Sequence, residues 1–562
     1  MVDYCLEAAG IPLERLDLVV RNSYVLPVGE MERRLRHRHH EYHLPARERL
    51  QALDSPLFLG SAPRVVDVSH HLAHAYSAFA ASPFEEGAVM VVDGVGSYRS
   101  DVTEAMPACP EVPPLSRESE SYYRFRGREI TCLRKEWLLP SKGFLNEEFY
   151  EMAGLGALYS RVSTYMFGDW NKCGEVMGLA PYGRAGHPPL LSLRDGVLDV
   201  PAWDDGFHHP FVGKTDGEWE GSLFRKEWED LAFRVQEDAE RVLVARAKWL
   251  HEATGARNLC IAGGVGLNCV ANGKILERSP FESIWIQPAA GDDGIAIGCA
   301  RYGHLQVRGH RRTFVQKHSF LGREYGEEEI DEALSGPLVR SSLRTRLEGN
   351  APARAAELLA GGKVLGWFQG GSEFGPRALG HRSILADARD PAMKDHVNAR
   401  VKHRQSFRPF APAVLAHRAV EWFEGEAESP FMLLVRRVRP DRRDRIPSIV
   451  HVDGTARVQT VREEENPVLH ALLLAFEERT GVPVVLNTSF NLRGEPIVET
   501  PRDAVECLLR TRMDALVLHD RVVEKHAVGR ALFPVVARIT RARGALRSGA
   551  ILEGMAHQVL NK

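Results

Sequence analysis

The chain has 562 residues and a formal net charge of −3, with 44% hydrophobic and 26% charged residues. This length predicts two globular domains, and the near-neutral charge offers no electrostatic basis for binding nucleic acid. The eight cysteines include no CxxC pair, the start lacks a signal-peptide pattern, and no apolar run is long enough to span a membrane. Composition therefore argues against zinc fingers, a disulfide framework and a membrane protein, and it predicts a cytoplasmic location.

The first half of the chain predicts strands that alternate with helices, which is typical of an α/β layer architecture. Apolar runs predict buried strands at Leu16–Val20, Ala88–Val92 and Ser283–Ile286. Residues 31–50 are dense in Arg and His and predict a solvated helix. Residues 103–145 are rich in proline and predict an irregular insertion.

A candidate metal site follows from two histidines and two aspartates. Ser69 is a predicted N-cap, and His70 and His74 lie four residues apart on the helix that follows, so they share one face. Asp93 and Asp292 come after two predicted strands, where ligands of α/β proteins bind. Such a mixed nitrogen and oxygen set suits iron(II), manganese or zinc. Because a chain with 23 histidines produces such a pair by chance, the residues alone leave a purely structural role open.

A glycine-rich turn joins a predicted strand at Asn258–Ala262 to a predicted helix at Val270–Leu276. Its candidate ligand-binding residues are Gly263, Gly264, Gly266 and Asn268. Glycines at such a turn let backbone amides approach a phosphate near a helix N-terminus, although close packing explains many turns of this kind. A second glycine-punctuated stretch, at 174–183, has no evident structural explanation in the sequence.

The second half begins after a polar segment at about 308–350. Asn350, followed by alanine and proline, predicts a helix start, and the two glycines at 361–362 predict its end before a strand at Lys363–Gln369. We therefore expect a first domain at 1–335 and a second at 336–562.

The second half carries a dense basic stretch. Lys402 and Arg404 are two residues apart and Arg408 lies four further on, so an extended segment would place all three on one face. Convergent cations suit a small dianion such as a phosphate, whereas the alternative is a solvated basic strand. Arg377 and Arg457 add cations on neighbouring loops.

A further predicted strand, Val484–Leu486, ends at neutral polar side chains that include Asn487 and Ser489. These groups suit a base, a ribose or a carbonyl oxygen. Together with the cations, they predict one pocket for an anionic, nucleotide-like molecule.

Several of these motifs, in this order, resemble the NodU/CmcH family of O-carbamoyltransferases, including the antibiotic-tailoring enzymes of tobramycin and ansamycin biosynthesis. The motifs are GEVMGLAPYG (174–183), GDDG (291–294), EFGPRALGHRSILADAR (373–389), KHRQSFRPFAPAV (402–414), HVDGTARVQ (451–459) and LNTSFNLRGEPIV (486–498). The resemblance spans nearly the whole chain.

The resemblance implies an actin/sugar-kinase-type (ASKHA) ATPase-like first domain and a YrdC-like second domain. It implies that the second domain converts carbamoyl phosphate and ATP into carbamoyl-adenylate. The first domain then transfers the carbamoyl group to a hydroxyl of a small-molecule natural product in antibiotic biosynthesis. The implied cofactor is a divalent metal, with Fe²⁺ or Mn²⁺ favoured and Mg²⁺ as a further candidate, and the chain is expected to be a monomer or homodimer.

The resemblance also implies roles for individual residues. The metal ligands are His70, His74, Asp93 and Asp292. The substrate and adenylate pocket takes Arg377, Lys402, Arg404, Arg408, Arg457, Asn487 and Ser489, with the glycine turn at Gly263, Gly264, Gly266 and Asn268. Lys402, Arg377, Arg404 and Asp93 are the expected catalytic groups.

The sequence departs from that family in three places. The family's first strand and its His-Asp-Ser-Ala turn have no counterpart, so either the first domain is incomplete or, as we favour, Met1 is not the true start. Glu175 stands where many relatives carry Lys, and Gln405 stands where Glu is common. The competing readings are a threonylcarbamoyl-type tRNA-modifying enzyme and a non-catalytic nucleotide-binding partner.

Overall fold

The computed structural model describes residues 2–12, 15–22, 64–107, 112–113, 116–138, 154–194, 196–199, 225–426 and 428–526. The helix predicted at 31–50 lies outside these residues. Within the described ranges, no helix is both long and apolar enough to cross a membrane.

The first half contains nine strands and seven α-helices among the described residues. Its strands are β1 (Leu18–Arg21), β2 (Arg64–Asp67), β3 (Glu86–Val92), β4 (Arg117–Arg126), β5 (Glu129–Leu138), β6 (Ser192–Arg194), β7 (Val197–Asp199), β8 (Asn258–Ala262) and β9 (Ser283–Ile286). Its helices are Val2–Ala9, His70–Phe79, Leu155–Phe167, Cys173–Leu179, Arg225–Thr254, Cys269–Arg278 and Ile295–Tyr302.

A five-stranded mixed sheet with the order β5-β4-β3-β8-β9 forms the centre of the first half. Strands β3, β8 and β9 are parallel, while β4 and β5 form an antiparallel hairpin beside β3. The carboxyl ends of the three parallel strands therefore deliver Asp93, Gly263 and Gln287 to one edge of the sheet, where α/β proteins bind ligands.

Two predictions for the first half are wrong. The predicted irregular insertion contains the hairpin β4–β5, whose alternation is hidden because charged side chains face inward: Lys135 Nζ lies 2.6 Å from Glu118 Oε1. The strand predicted as buried at Leu16–Val20 is the half-buried β1, which pairs with β2 in a separate two-stranded sheet. Ion pairing in the hairpin and an edge position for β1 override what the local sequence pattern predicts.

The second half is built on a nine-stranded mixed sheet with the order β10-β18-β17-β11-β12-β16-β13-β15-β14. Its strands are β10 (Leu343–Leu347), β11 (Leu365–Phe368), β12 (Arg382–Asp387), β13 (Ala411–Leu415), β14 (Leu434–Arg437), β15 (Thr455–Val461), β16 (Val484–Ser489), β17 (Ala515–Leu518) and β18 (Arg521–Lys525). The pairs β11–β17 and β13–β15 are parallel and the others are antiparallel.

Helices cover this second sheet. They are Glu327–Ser335, Pro337–Ser342, Ala351–Ala360, Met393–Val397, Ala419–Trp422, Pro467–Thr480 and Pro501–Arg510. The predicted start of the third is confirmed, since the Ala353 amide donates to Asn350 Oδ1 at 3.0 Å, and Gly361 follows its last residue.

The two halves share a hydrophobic core. Leu379, Phe407 and Leu434 of the second half belong to the same buried cluster as Val176 and Leu179 of the first. Burial of apolar surface on this scale stabilises the contact between the halves by the hydrophobic effect. The shared core fixes the carboxyl edge of the first sheet against the loops that carry the cations.

Candidate active site

The helix His70–Phe79 presents both predicted histidine ligands. Ser69 occupies its N-cap position, but the Ser69 hydroxyl donates to the carboxylate of Glu104 and does not cap the helix. The His70 amide donates instead to Ser97 Oγ at 2.9 Å, which satisfies one of the free amides of the first turn. The loop after β3 thereby fixes the start of this helix.

The predicted metal ligands converge. One ligand atom from each of His70, His74, Asp93 and Asp292 lies within 4.8 Å of all the others. His70 Nε2 is 3.1 Å from Asp93 Oδ2 and 3.4 Å from Asp292 Oδ1, and His74 Nε2 is 3.6 Å from the same Asp292 oxygen. His74 is fully buried, yet neither of its ring nitrogens has a hydrogen-bond partner among the residues that the structure describes. Since buried polar atoms rarely lack partners, this set fits a bound cation.

The electrostatics of the cluster agree with that fit. Burial disfavours a charged imidazole at His70, but hydrogen bonds that the ring donates to Asp292 and Asp93 outweigh it and raise the His70 pKa to about 10. Burial opposes ionisation of Asp93, but His70 and His74 lower its pKa, and the same histidines lower the pKa of Asp292. Both carboxylates therefore stay ionised at neutral pH, as ligands to a divalent cation must be.

The third histidine of the motif has a different role. His71 Nδ1 lies 2.7 Å from Ser121 Oγ on β4, and the ring is fully buried. Burial, with the charge of Lys135 nearby, holds the His71 pKa well below its usual range. His71 is thus a neutral core residue that anchors the helix to the sheet.

The glycine turn supports the metal cluster. Gly263 has φ of 88°, and a Cβ atom there would lie 2.2 Å from the carbonyl oxygen of Val92. This close approach lets the Gly264 amide donate to Asp93 Oδ1 at 2.8 Å. The Gly266 amide donates to the Gly263 carbonyl, also at 2.8 Å. Both amides are engaged within the protein, so their contact with a phosphate stays a prediction.

Asn268 closes the turn. Its Oδ1 accepts from the Ala271 amide at 3.1 Å and caps the helix Cys269–Arg278, while its Nδ2 donates to Gln236 Oε1 at 3.0 Å. The side chain is 8% exposed. These contacts give Asn268 a structural role, and its predicted part in adenylate binding stays a prediction.

The basic stretch is not extended, so the predicted reason for its convergence is wrong. Lys402 ends a short helical turn, Asn398–Lys402, and His403 follows in the left-handed region with φ of 49°. The chain then turns back, and the cations nevertheless converge. Burial, followed by the charges of Arg404 and Arg408, holds the Lys402 pKa well below its usual range.

Lys402 is 4% exposed and has only neutral hydrogen-bond acceptors. Its Nζ donates to the Ser489 carbonyl oxygen at 2.8 Å, to Ser489 Oγ at 3.1 Å and to the Asn491 carbonyl oxygen at 3.1 Å. It also donates to Asn491 Oδ1. These oxygens orient the ammonium group without neutralising its charge.

Arg404 is held just as firmly. Its Nε donates to Asn398 Oδ1 at 2.8 Å, and its guanidinium carbon lies 4.5 Å from the ring centre of Phe410. Burial, with the charges of Arg408 and Arg457, holds the Arg404 pKa well below its usual range. A stacked and hydrogen-bonded guanidinium presents its remaining donors in a fixed direction.

Arg377 and Arg457 face the first half. The Arg377 Nη2 donates to the carbonyl oxygen of Leu267, in the glycine turn, at 3.4 Å, and Arg457 lies beside Cys269. Burial and the charge of Arg457 lower the Arg377 pKa to about 9, so Arg377 is protonated at pH 7. The Nε atoms of both arginines are buried without a partner.

The cluster of Arg377, Lys402, Arg404 and Arg457, which we call the cation pocket, forms no ion pair with any residue that the structure describes. Arg408, which lies beside the cation pocket, does form an ion pair, since its Nη1 lies 2.8 Å from Glu175 Oε1. Burying several cations without a counter-charge is costly, because each loses hydration that no carboxylate replaces. The arrangement therefore fits an anionic ligand.

Asn487 and Ser489 lie beside the cation pocket. Both belong to β16, whereas the sequence predicted them after the end of a shorter strand. Asn487 Nδ2 donates to Gln459 Oε1 at 2.8 Å, while Asn487 Oδ1 is buried without a partner. Ser489 Oγ accepts from Lys402 and donates to Asn491 Oδ1 at 2.8 Å.

Sequence reasoning missed three contributors. Asn22 Nδ2 lies 3.3 Å from His70 Nδ1, Asn491 holds Lys402, and Glu175 pairs with Arg408. Asn491 stands in a motif that the sequence singled out. Asn22 gives no signal, since it lies 48 residues before its partner and outside any motif.

Comparisons with known proteins identify the family of the chain. The carbamoyltransferase C-terminus family matches residues 356–525, and the carbamoyltransferase N-terminus family matches residues 214–301. An uncharacterized protein of Synechocystis is 36% identical over 94% of this chain and 90% of its own length. Nodulation protein NolNO of Sinorhizobium fredii is 36% identical, covering 93% of this chain and 74% of its own length.

Nodulation protein NolO of Bradyrhizobium diazoefficiens is also 36% identical, over 82% of this chain and 79% of its own length. Among solved structures, HypF of T. kodakarensis aligns with a TM-score of 0.32 and 14% identity over 55% of this chain and 43% of its own. A similarity of that size carries no argument about function.

The sequence matches define the class of protein as a carbamoyltransferase enzyme. The chain belongs to the carbamoyltransferase family that includes the nodulation proteins NolO and NodU, which confirms the resemblance seen in its sequence.

Proposed function

We propose that the protein is an ATP-dependent O-carbamoyltransferase that acts in two steps. In the first, carbamoyl phosphate and water give carbamate and phosphate in the cation pocket. A carbamate oxygen then displaces pyrophosphate from the α-phosphorus of ATP, which forms carbamoyl-adenylate. In the second, a hydroxyl oxygen of a small-molecule alcohol attacks the carbamoyl carbon, and AMP leaves. This mechanism is the one that the family resemblance implies.

The observation that supports the first step most directly is the cation pocket itself. Four cations with neutral partners, of which Lys402 is buried and the three arginines are partly buried, match the phosphate groups of both substrates. In a site with little water, fixed charges stabilise a developing charge more strongly than they would in solvent. Asn487 Oδ1, buried without a partner, is available to accept from the carbamoyl amide group or an adenine amino group.

Lys402, Arg377 and Arg404 serve as the electrostatic groups of this proposal. Their hydrogen bonds to backbone and amide oxygens hold them in place before substrate enters, so little reorganisation is required during reaction. Arg408 lies at the edge of the pocket. Its charge joins the others when its partner Glu175 is displaced.

We assign the second step, carbamoyl transfer to the alcohol, to the cluster of His70, His74, Asp93 and Asp292. A divalent cation held there, for which we favour Fe²⁺ or Mn²⁺, would supply Lewis-acid polarisation of the carbamoyl carbonyl or its phosphate. The glycine turn contacts both sites: the Gly264 amide donates to Asp93, and the Leu267 carbonyl accepts from Arg377. This connection supports transfer of an intermediate between neighbouring sites without its release.

The test is an assay of pyrophosphate release from ATP, with and without carbamoyl phosphate, followed by mass spectrometry for an AMP-linked carbamoyl product. We expect release that depends on carbamoyl phosphate. Release that depends instead on threonine and bicarbonate would identify the competing threonylcarbamoyl activity. ATP binding without any pyrophosphate release would indicate a non-catalytic nucleotide-binding protein and refute the proposal.

A further inference from the structure

Glu175 contacts the cation pocket from the other half of the protein. It lies in the helix Cys173–Leu179, and its Oε1 is 2.8 Å from Nη1 of Arg408. The two side chains are 14% and 29% exposed, so the pair is shielded from solvent on most sides. Its partner follows the turn that carries Lys402 and Arg404. An ion pair thus joins the two halves at the edge of the pocket.

Glu175 also acts on one cation of the pocket itself. Burial and neighbouring arginines lower the pKa of Arg404, and the charge of Glu175 partly offsets that lowering. The cations of the pocket have carbonyl, hydroxyl, amide and thiol partners among the described residues. A carboxylate placed here supplies part of the counter-charge that an anionic substrate would otherwise provide.

We propose that Glu175 sets the affinity of the pocket for anions by competing with the phosphate group of the substrate for Arg408. The proposal rests on the proposed function, since it concerns the same pocket. A carboxylate carries one negative charge, whereas a phosphate dianion carries two and offers three oxygens to the forked donors of arginine. A dianion can therefore replace Glu175 on Arg408, whereas a monoanion gains too little from the exchange.

Two consequences follow from this competition. Removing the charge of Glu175 should tighten binding of every anion, because no internal carboxylate then has to be displaced. The gain should be larger for a dianion than for a monoanion, because a dianion no longer has to displace Glu175, whereas a monoanion gains only its weaker contact with Arg408. The alternative is that Glu175 only positions Arg408, in which case its removal would weaken anion binding.

The experiment measures binding of pyrophosphate, inorganic phosphate and the monoanion dimethyl phosphate to the protein by calorimetry. We expect Glu175→Gln to bind pyrophosphate and phosphate about three- to tenfold more tightly, and dimethyl phosphate by a smaller factor. The matched control is Glu282→Gln, which removes an exposed carboxylate whose Oε1 is 2.8 Å from Nε of Arg257. It should leave all three affinities unchanged.

A double variant separates competition from a general change of charge. In the background of Arg408→Ala, Glu175 has no partner to release, so Glu175→Gln should then change the affinities by less than a factor of about two. An equal gain with and without Arg408, unchanged affinities, or weaker binding in Glu175→Gln would each overturn the proposal. Because phosphate binding needs no catalysis, these results stand apart from the pyrophosphate-release assay, on which the proposed function depends.

Discussion

His451 donates from Nε2 to the carbonyl oxygen of Gly178 at 3.0 Å, and this bond joins two motifs from opposite halves of the chain. Burial lowers the His451 pKa, so the ring is neutral and a single proton on Nε2 makes the bond. A Cβ atom on Gly178 would lie 3.3 Å from Pro409 Cδ of the second half. The glycine-punctuated stretch at 174–183 therefore serves as a junction between the halves. This contact explains a motif for which the sequence alone offered no structural explanation.

Replacement of Lys402 by Ala should slow carbamoyl-phosphate-dependent pyrophosphate release by about ten- to a hundredfold, because each charge-assisted hydrogen bond contributes roughly 1.5–3 kcal/mol. Arg377→Ala should have an effect of similar size. The control is Lys363→Ala, which removes a half-exposed lysine that lies 3.3 Å from Asp514. Turnover that stays at the wild-type level in either pocket variant would contradict the assignment.

Replacement of Arg457 by Met should raise the thermal unfolding midpoint of the anion-free protein, because a buried cation without a counter-charge opposes folding. The same variant should lose most of the stabilisation that added pyrophosphate gives to the wild type.

The matched control for this prediction is Arg246→Met. Arg246 is more deeply buried than Arg457, and its Nε lies 2.9 Å from Glu120 Oε2. Its removal leaves a carboxylate unpaired and should lower the free energy of unfolding by about 3–5 kcal/mol. Equal destabilisation by both substitutions would show that the charge of Arg457 is compensated within the protein.

His70→Ala should abolish stoichiometric metal binding, as judged by elemental analysis of the purified protein, and it should impair carbamoyl transfer more than pyrophosphate release. The reason is that His70 lies in the metal cluster and not in the cation pocket. His304→Ala, which changes a histidine outside that cluster, should leave the metal content unchanged. Full metal occupancy in His70→Ala would remove His70 from the ligand set.

Metal binding at pH 7 should release about one proton per ion, because His70, with its pKa raised to about 10, must lose its proton to become a ligand. Affinity for Mn²⁺ should therefore rise with pH up to about 10. In the metal-free protein, folding stability depends on pH in the opposite direction to the metal affinity. The stability due to the His70 ion pairs is complete below the ordinary histidine pKa and is lost as the pH rises through about 10. Calorimetry in buffers of different ionisation enthalpy measures the released proton, and a heat independent of buffer would contradict it.

The sequence predicted the metal cluster because its signals are local. The four-residue spacing of His70 and His74 fixes their common face, and parallel strands place Asp93 and Asp292 at one edge of the sheet. Each of these inferences needs only the period of a helix or the direction of a strand.

The details of the cation pocket could not be predicted in the same way. The left-handed His403 and the bond from Arg404 to Asn398 turn the basic stretch back on itself, and neither has a periodic signature. The Glu175–Arg408 pair joins residues more than two hundred positions apart in the chain, so only the packed structure reveals it. The buried hairpin β4–β5 was missed for a related reason, since its inward charges are paired across the hairpin and with the distant Arg246.

The apolar cluster that contains Leu379, Phe407 and Leu434 together with Val176 and Leu179 has a practical consequence for engineering. If either half were produced by itself, it would expose this apolar surface and tend to aggregate. Chimaeras that exchange one half between relatives would therefore need compensating substitutions across this interface. Exchanges confined to loops that lie away from the interface avoid that requirement.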